Sequence, residues 1–169
     1  MTLLILGATG QVAFELKLSL ASFGRILAPT RQELNLESPL AVAACLEELS
    51  AIGKRPLVIV NAAAYTAVDK AESELDLVHR LNTELPEQLA RFSDKYSVPL
   101  VHYSSDYVYP GHGDTPWHES SITKPLSVYG RTKLAGDIAV TESGAYHIIF
   151  RISWVYSARG QNFMKPCCA

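Results

Sequence analysis

The chain is poor in the residues that announce metal or redox structure. Three cysteines are spread over 169 residues, at Cys45, Cys167 and Cys168. None stands in a C-x-x-C or Cys/His spacing, which argues against a zinc site and a disulfide framework. Cys45 falls in a helical apolar pattern and reads as a core thiol. Charge of one sign is missing as well. Fifteen Lys and Arg oppose seventeen Asp and Glu, a formal net charge of −2, so nothing favours nucleic acid or an anionic membrane as partner. No apolar run approaches the roughly 18 residues of a membrane span. The start, Met1-Thr2-Leu3-Leu4-Ile5-Leu6, lacks a basic leader and runs directly into Gly7, as a buried strand does and a signal peptide does not. A cytoplasmic protein is expected.

What remains is ordinary for one globular domain: 48% hydrophobic and 19% charged residues, with length enough for a real core. Apolar runs alternate with helical periodicity. Leu3–Leu6, Arg25–Ala28, Leu57–Val60, Leu100–Tyr103 and His147–Arg151 read as strands. Gln11–Phe23, a segment opened by Ser38-Pro39, most of Asp69–Tyr96 and Val128–Ser143 read as helices. Pro86 is expected to start a turn or kink the third of these. Strands alternating with helices predict an α/β fold with a doubly wound parallel sheet. Ser104–Ser127, rich in Gly, Pro, Asp and Ser, is a long loop of the kind that usually carries function.

Two features carry chemistry. Gly7-x-x-Gly10-x-x-Ala13 follows a strand and opens a helix. That context lets backbone N–H groups and a helix N-terminus approach a dinucleotide pyrophosphate. After the second strand stands Ala28-Pro29-Thr30-Arg31, with no carboxylate to grip a ribose 2′-hydroxyl. Arg31 suits a 2′-phosphate, which favours NADPH; as a solvated loop cation it would say nothing, and Glu33 keeps NADH open. The second feature is Tyr129-Gly130-Arg131-Thr132-Lys133. Residues four apart share a helix face, so the Lys133 ammonium can favour the phenolate of Tyr129 and lower its pKa. Ser104-Ser105-Asp106 closes the fourth strand, at the edge where ligands bind in such sheets. Ser105 can give a second hydroxyl to a reacting carbonyl oxygen, or simply cap a turn.

Five stretches, Gly7–Leu16, Val60–Glu74, His102–Trp117, Pro125–Asp137 and Phe150–Tyr156, resemble the extended short-chain dehydrogenase/reductase superfamily. Within it they are most similar to the reductases of dTDP-L-rhamnose synthesis, which supply O-antigen and lipopolysaccharide precursors. The resemblance implies a Rossmann-like fold and hydride delivery from NADPH, or NADH, to C4 of a dTDP-linked 4-keto-6-deoxyhexose. It makes Tyr129 the proton donor, Lys133 its assistant and Ser105 the group that orients the carbonyl. It puts Gly7, Gly10, Gln11 and Val12 at the pyrophosphate, Thr30 and Arg31 after the second strand, and Asn35 and Leu36 near the adenine. Ala62, Ala63, Ala64, Tyr65 and Thr66 would lie beside the cofactor, Tyr103 at the nicotinamide, and Ser105, Asp106 and Trp154 at the substrate. Members often have threonine at Ser105, aspartate at Asn35 and, in some, a carboxylate at Thr30. Some bind Mg2+ or form homodimers; no metal site is identified here and a dimer is not expected.

Family members run well beyond this length. The ending Met164-Lys165-Pro166-Cys167-Cys168-Ala169 is what a one-base deletion in an adenine run would make of a family-like Met-Lys-Thr-Met-Leu-Arg. The expectation is a dinucleotide-binding domain over 1–164 and an aberrant tail over 165–169. The sheet would then be incomplete at its C-terminal part and the substrate domain missing. An active reductase, an inactive remnant, a non-catalytic NADP-binding regulatory subunit and a nucleotide-sugar epimerase or dehydratase all stay open at this point.

Overall fold

The computed structural model describes residues 2–157, apart from 52 and 54. The expectations for 165–169, with Cys167 and Cys168, lie outside the described residues.

Five strands form one sheet: β1 (Thr2–Leu6), β2 (Arg25–Leu27), β3 (Val58–Asn61), β4 (Leu100–Ser105) and β5 (His147–Ile152), in the order β2-β1-β3-β4-β5. Every pairing is parallel, with Leu3 opposite Ile26 and Val58, and Tyr103 opposite Phe150. Helices α1 (Gln11–Ser19), α2 (Pro39–Ala51), α3 (Leu75–His79), α4 (Leu85–Tyr96) and α5 (Val128–Glu142) make the crossovers. The period-2 alternation of β1 sorts its side chains between two cores. Leu4 and Leu6 point to α2, α4 and α5 through Val42, Leu46, Leu89, Phe92 and Val140. Ile5 points the other way, with Ala13 of α1 and Val60. Cys45 packs against the larger cluster, and burial pushes its thiol up.

On the α1 side the sheet is covered unevenly. Ile148 and Phe150 of β5 are 55% and 45% exposed, and among the described residues no helix lies over β5 on that side.

The elements match the sequence pattern with local differences. The first helix stops at Ser19 and resumes as a 3-10 turn over Ala21–Phe23. The segment after Asp69 is a 3-10 turn, Lys70–Glu72, then α3, a π turn over Arg80–Glu84, and α4. Pro86 does not break this run; it sits in the first turn of α4, where its missing N–H is tolerated. Pro86 does leave the Asn82 carbonyl without the donor an α-helix would supply. α5 packs tightly there: a Cβ on Gly136 would lie 2.2 Å from the Asn82 carbonyl oxygen.

Candidate active site

A cavity of about 900 Å3 opens at the C-terminal ends of β1, β3, β4 and β5. Its floor at one end is the glycine turn. Gly7 has φ +86°, and a Cβ there would lie 2.7 Å from the Ala62 carbonyl oxygen, so only glycine lets β1 turn against β3. Gly10 N–H donates to Gly7 O at 2.8 Å, and Lys17 Nζ holds the Ala8 carbonyl at 2.9 Å. Ala13 is fully buried, where a larger residue would lift α1 off the sheet. No side chain caps α1 at Gly10, and its positive end faces the cavity.

The far wall is built by β4 and α5. Ser127 caps α5 by accepting from Gly130 N–H at 3.1 Å. Ser105 accepts from Tyr107 N–H at 3.2 Å and donates to Asp106 Oδ1 at 3.2 Å. It therefore caps the turn Asp106–Val108 and lines the cavity as well. Tyr129 is buried with Tyr107 edge-on to its ring, centroids 5.4 Å apart. Lys133 is 1% exposed, and its Nζ donates to the Tyr103 carbonyl at 2.7 Å.

Here the sequence reading needs correction. Lys133 was expected to lower the pKa of the Tyr129 phenol. Burial instead pushes it up, the Ser105 hydroxyl opposes that, and Asp106, Tyr107 and Asp137 reinforce it. The ammonium is bonded to the Tyr103 carbonyl, and burial brings Lys133 itself down to about 8 against the upward pull of Asp137.

Thr30 and Tyr65 do not line the cavity. Thr30 N–H and Oγ1 both donate to Glu33 Oε2, at 2.8 and 2.9 Å, which holds that carboxyl below its usual range. Tyr65 exchanges backbone bonds with the Asn82 amide at 2.9 and 3.2 Å, and its phenol donates to Glu74 at 2.7 Å. The other expected residues do line it: Gly7, Gly10, Gln11, Val12, Arg31, Asn35, Leu36, Ala62, Ala63, Ala64, Thr66 and Tyr103, with Asp106 and Trp154 on the substrate side. Sequence reasoning missed Glu37, which lines the cavity and pairs with Arg31. Its N–H donates to Asn35 Oδ1 at 3.0 Å, and its carbonyl accepts from Arg80 Nε at 3.2 Å.

Also missed was a polar layer beneath the wall: Asn61, His102, Ser104 and Asp137, all buried, with Arg151 beside them. The signal was present as polar letters at buried positions: Asn61, His102 and Ser104 in apolar strands and Asp137 in α5. Among the described residues no group of three or more His, Cys, Asp or Glu could hold a metal, and no helix is long and apolar enough to cross a membrane.

Residues 1–168 match the family described as RmlD substrate binding domain. The dTDP-4-dehydrorhamnose reductase of Shigella flexneri is 47% identical over 98% of this chain and 55% of its own length. The crystal structure of a dTDP-4-dehydrorhamnose reductase from Clostridium acetobutylicum superposes with a TM-score of 0.91 at 34% identity, over 99% of this chain and 58% of that one. The corresponding Bacillus anthracis structure, in complex with NADP, gives 0.89 at 31% identity over the same shares. The chain thus spans about half the length of the curated relatives it matches.

Proposed function

The chain belongs to the RmlD substrate binding domain family, and on that premise we propose that it carries the dinucleotide-binding and proton-transfer part, residues 1–164, of a cytoplasmic dTDP-4-dehydrorhamnose reductase. The substrate class is a dTDP-linked 4-keto-6-deoxyhexose and the cofactor NADPH, with NADH as the alternative donor. One observation carries this reading: a single cavity has the glycine turn at one end and Ser105, Tyr129 and Lys133 at the other. The NADP bound by the Bacillus anthracis relative supports the choice of cofactor.

The residues present fit such a group. The tight turn at Gly7, where φ +86° and the Ala62 backbone admit no Cβ, and the uncapped start of α1 at Gly10 suit a pyrophosphate. Asn35 and Leu36 would flank the adenine, Arg31 a 2′-phosphate, and Ala62–Ala64, Thr66 and Tyr103 the middle and nicotinamide end. When bound, the dinucleotide supplies hydride to the carbonyl carbon. Tyr129, kept protonated by burial, gives its proton to the developing alkoxide. Ser105 orients the same oxygen. Lys133 supplies positive charge to the phenolate that Tyr129 becomes. Asp106 and Trp154 would border the sugar.

The test is NADPH oxidation by the purified chain with the dTDP-4-keto sugar. Tyr129→Phe is expected to slow turnover by about 100-fold or more; turnover that survives it removes Tyr129 from the reaction. A second reading is a dinucleotide-binding chain that does not turn over. That reading predicts a higher melting temperature with NADPH and no oxidation.

A further inference from the structure

Three turns of α5 present one residue each to β4. Tyr129, Lys133 and Asp137 lie four apart on one helix face, and all three are buried. Tyr129 meets the Ser105 hydroxyl, Lys133 the Tyr103 carbonyl, and Asp137 the His102 ring. Asp137 is 2% exposed. Its Oδ2 accepts from Arg151 Nε at 3.1 Å. Its Oδ1 has no hydrogen bond and lies 3.7 Å from His102 Nε2, which has none either.

The neighbouring bonds assign the proton of His102. Ala63 N–H donates to Asn61 Oδ1 at 3.2 Å, which orients that amide. Asn61 Nδ2 is then the donor toward His102 Nδ1 at 3.1 Å, and a ring nitrogen that accepts carries no hydrogen. The ring proton therefore sits on Nε2 and points at Asp137. Burial and the charge of Lys133 both push His102 well below its usual range, so the ring is neutral. Three formal charges are left in this layer: the Asp137 carboxylate, the Arg151 guanidinium and the Lys133 ammonium.

We propose that Asp137 is a positioning residue for Lys133: its buried carboxylate, shared with Arg151 and faced by the neutral His102, is what lets the lysine stay an ammonium at the cavity wall. With Asp137, the layer holds two cations and one anion, a single net positive charge toward the oxygen that Tyr129 serves. Without it, Lys133 is a fully buried cation with no anion beside it, while the Arg151 side chain keeps 24% exposure to water, so the pressure to discharge falls on the buried cation. Arginine does not give up its proton in proteins, so lysine does.

The groups facing Asp137 are Lys133 on its own helix, His102 and Ser104 on β4, and Arg151 on β5. Burial raises the Asp137 carboxyl above its usual range, and Ser104, Arg151 and Lys133 all oppose that rise. Beyond them, the Tyr109 phenol accepts from Arg151 at 3.0 Å, and Asp106 and Tyr107 stand on the far side of Tyr129.

The inference rests on the reductase reading only for its catalytic consequence. Its test is therefore a titration of Lys133 itself: NMR of the lysine side chains in the full chain, with the Lys133 signal assigned through Lys133→Arg. Lys133 is expected to titrate near 8. Asp137→Asn should lower that midpoint by about one pH unit or more, and Asp137→Glu should restore it. Arg151→Met should move it the other way, upward, because the carboxylate then faces Lys133 alone. A purely structural ion pair between Asp137 and Arg151 predicts neither shift. An unchanged midpoint in folded Asp137→Asn overturns the proposal, as does a fall in Arg151→Met. If Asp137→Asn does not fold, the Arg151→Met arm decides alone: a rise supports the proposal, and an unchanged or lower midpoint ends it. A chain that binds no NADPH and yet shows these shifts retires the reductase reading and keeps this one.

Discussion

The two ends of the cavity are made by opposite means. The β4–α5 wall is rigid through burial. Lys133, Asp137 and His102 are each at most 2% exposed, and each is held by a partner on a neighbouring strand: Tyr103 of β4, Arg151 of β5 and Asn61 of β3. The dinucleotide end is built from backbone and surface ion pairs, with the Arg31 side chain 78% exposed. The first arrangement sets proton affinities and tolerates no change of shape. The second leaves backbone N–H groups and a largely exposed, ion-paired guanidinium for an anionic ligand to engage. An error in the wall should therefore cost folding and protonation, and an error at the rim should cost binding.

The most severe way to break that contrast is with glycines. Gly136→Ala puts a Cβ 2.2 Å from the Asn82 carbonyl oxygen and 3.3 Å from Pro86 Cγ. The obstruction is backbone, so α5 must shift, at about 3 kcal/mol or more. Gly10→Ala meets nothing nearer than Gly7 O at 3.2 Å and has φ −76°, which any residue adopts. It should cost about 1 kcal/mol or less and yet abolish NADPH binding, because the methyl is added at the uncapped start of α1, where the pyrophosphate is proposed to bind. Urea unfolding and a binding titration on both variants check this. Equal destabilisation would erase the distinction between wall and rim.

A smaller effect sharpens the wall side. Lys133 falls from its ordinary 10.5 to about 8 through burial, so between those values the unfolded chain binds the extra proton. Stability must then rise with pH across that window. Cys45 and Tyr129, both pushed up, act in the opposite sense near its top. The difference between this chain and Lys133→Met cancels them. From pH 8 to 10 that difference should change by on the order of 2 kcal/mol, read by urea midpoints at each pH. No change would mean that Lys133 is hydrated in solution. Below pH 6.5 His102, held well down, works in the same direction: the unfolded state takes up a proton that the folded state refuses, and stability falls.

Sequence reasoning reached one of these regions more easily than the other. The strand positions and most helix ends follow from periodicity, and Gly7, Gly10, Ser105, Tyr129 and Lys133 follow from spacing along single elements. All five line the cavity. What escaped depends on contacts between distant segments. Spacing put Lys133 beside Tyr129, but the Tyr103 carbonyl 30 residues away accepts its hydrogen bond. Asn61 and His102 are 41 residues apart and meet because β3 and β4 are neighbours in register. Thr30 was assigned from its place after β2, but Glu33 turns it away from the cavity. The π turn over Arg80–Glu84 has no local signature apart from Pro86.

The least costly change tests the rim. In the folded chain Arg31 is paired with Glu37, whose backbone is pinned by Asn35 and Arg80. A 2′-phosphate must win the guanidinium from that carboxylate, whereas a ribose 2′-hydroxyl can donate to it. Glu37→Gln should therefore raise NADPH affinity relative to NADH. Because the guanidinium is largely in water, the pair is worth no more than about 1 kcal/mol, roughly a fivefold change in the ratio. The change should shrink as salt screens the charges. Arg31→Ala should lower the same ratio by a similar factor. The measurement is a pair of fluorescence titrations, with NADPH and with NADH, at low and high salt. If Arg31→Ala leaves both affinities as they were, Arg31 is a solvated loop cation, and the rim does not read the phosphate at all.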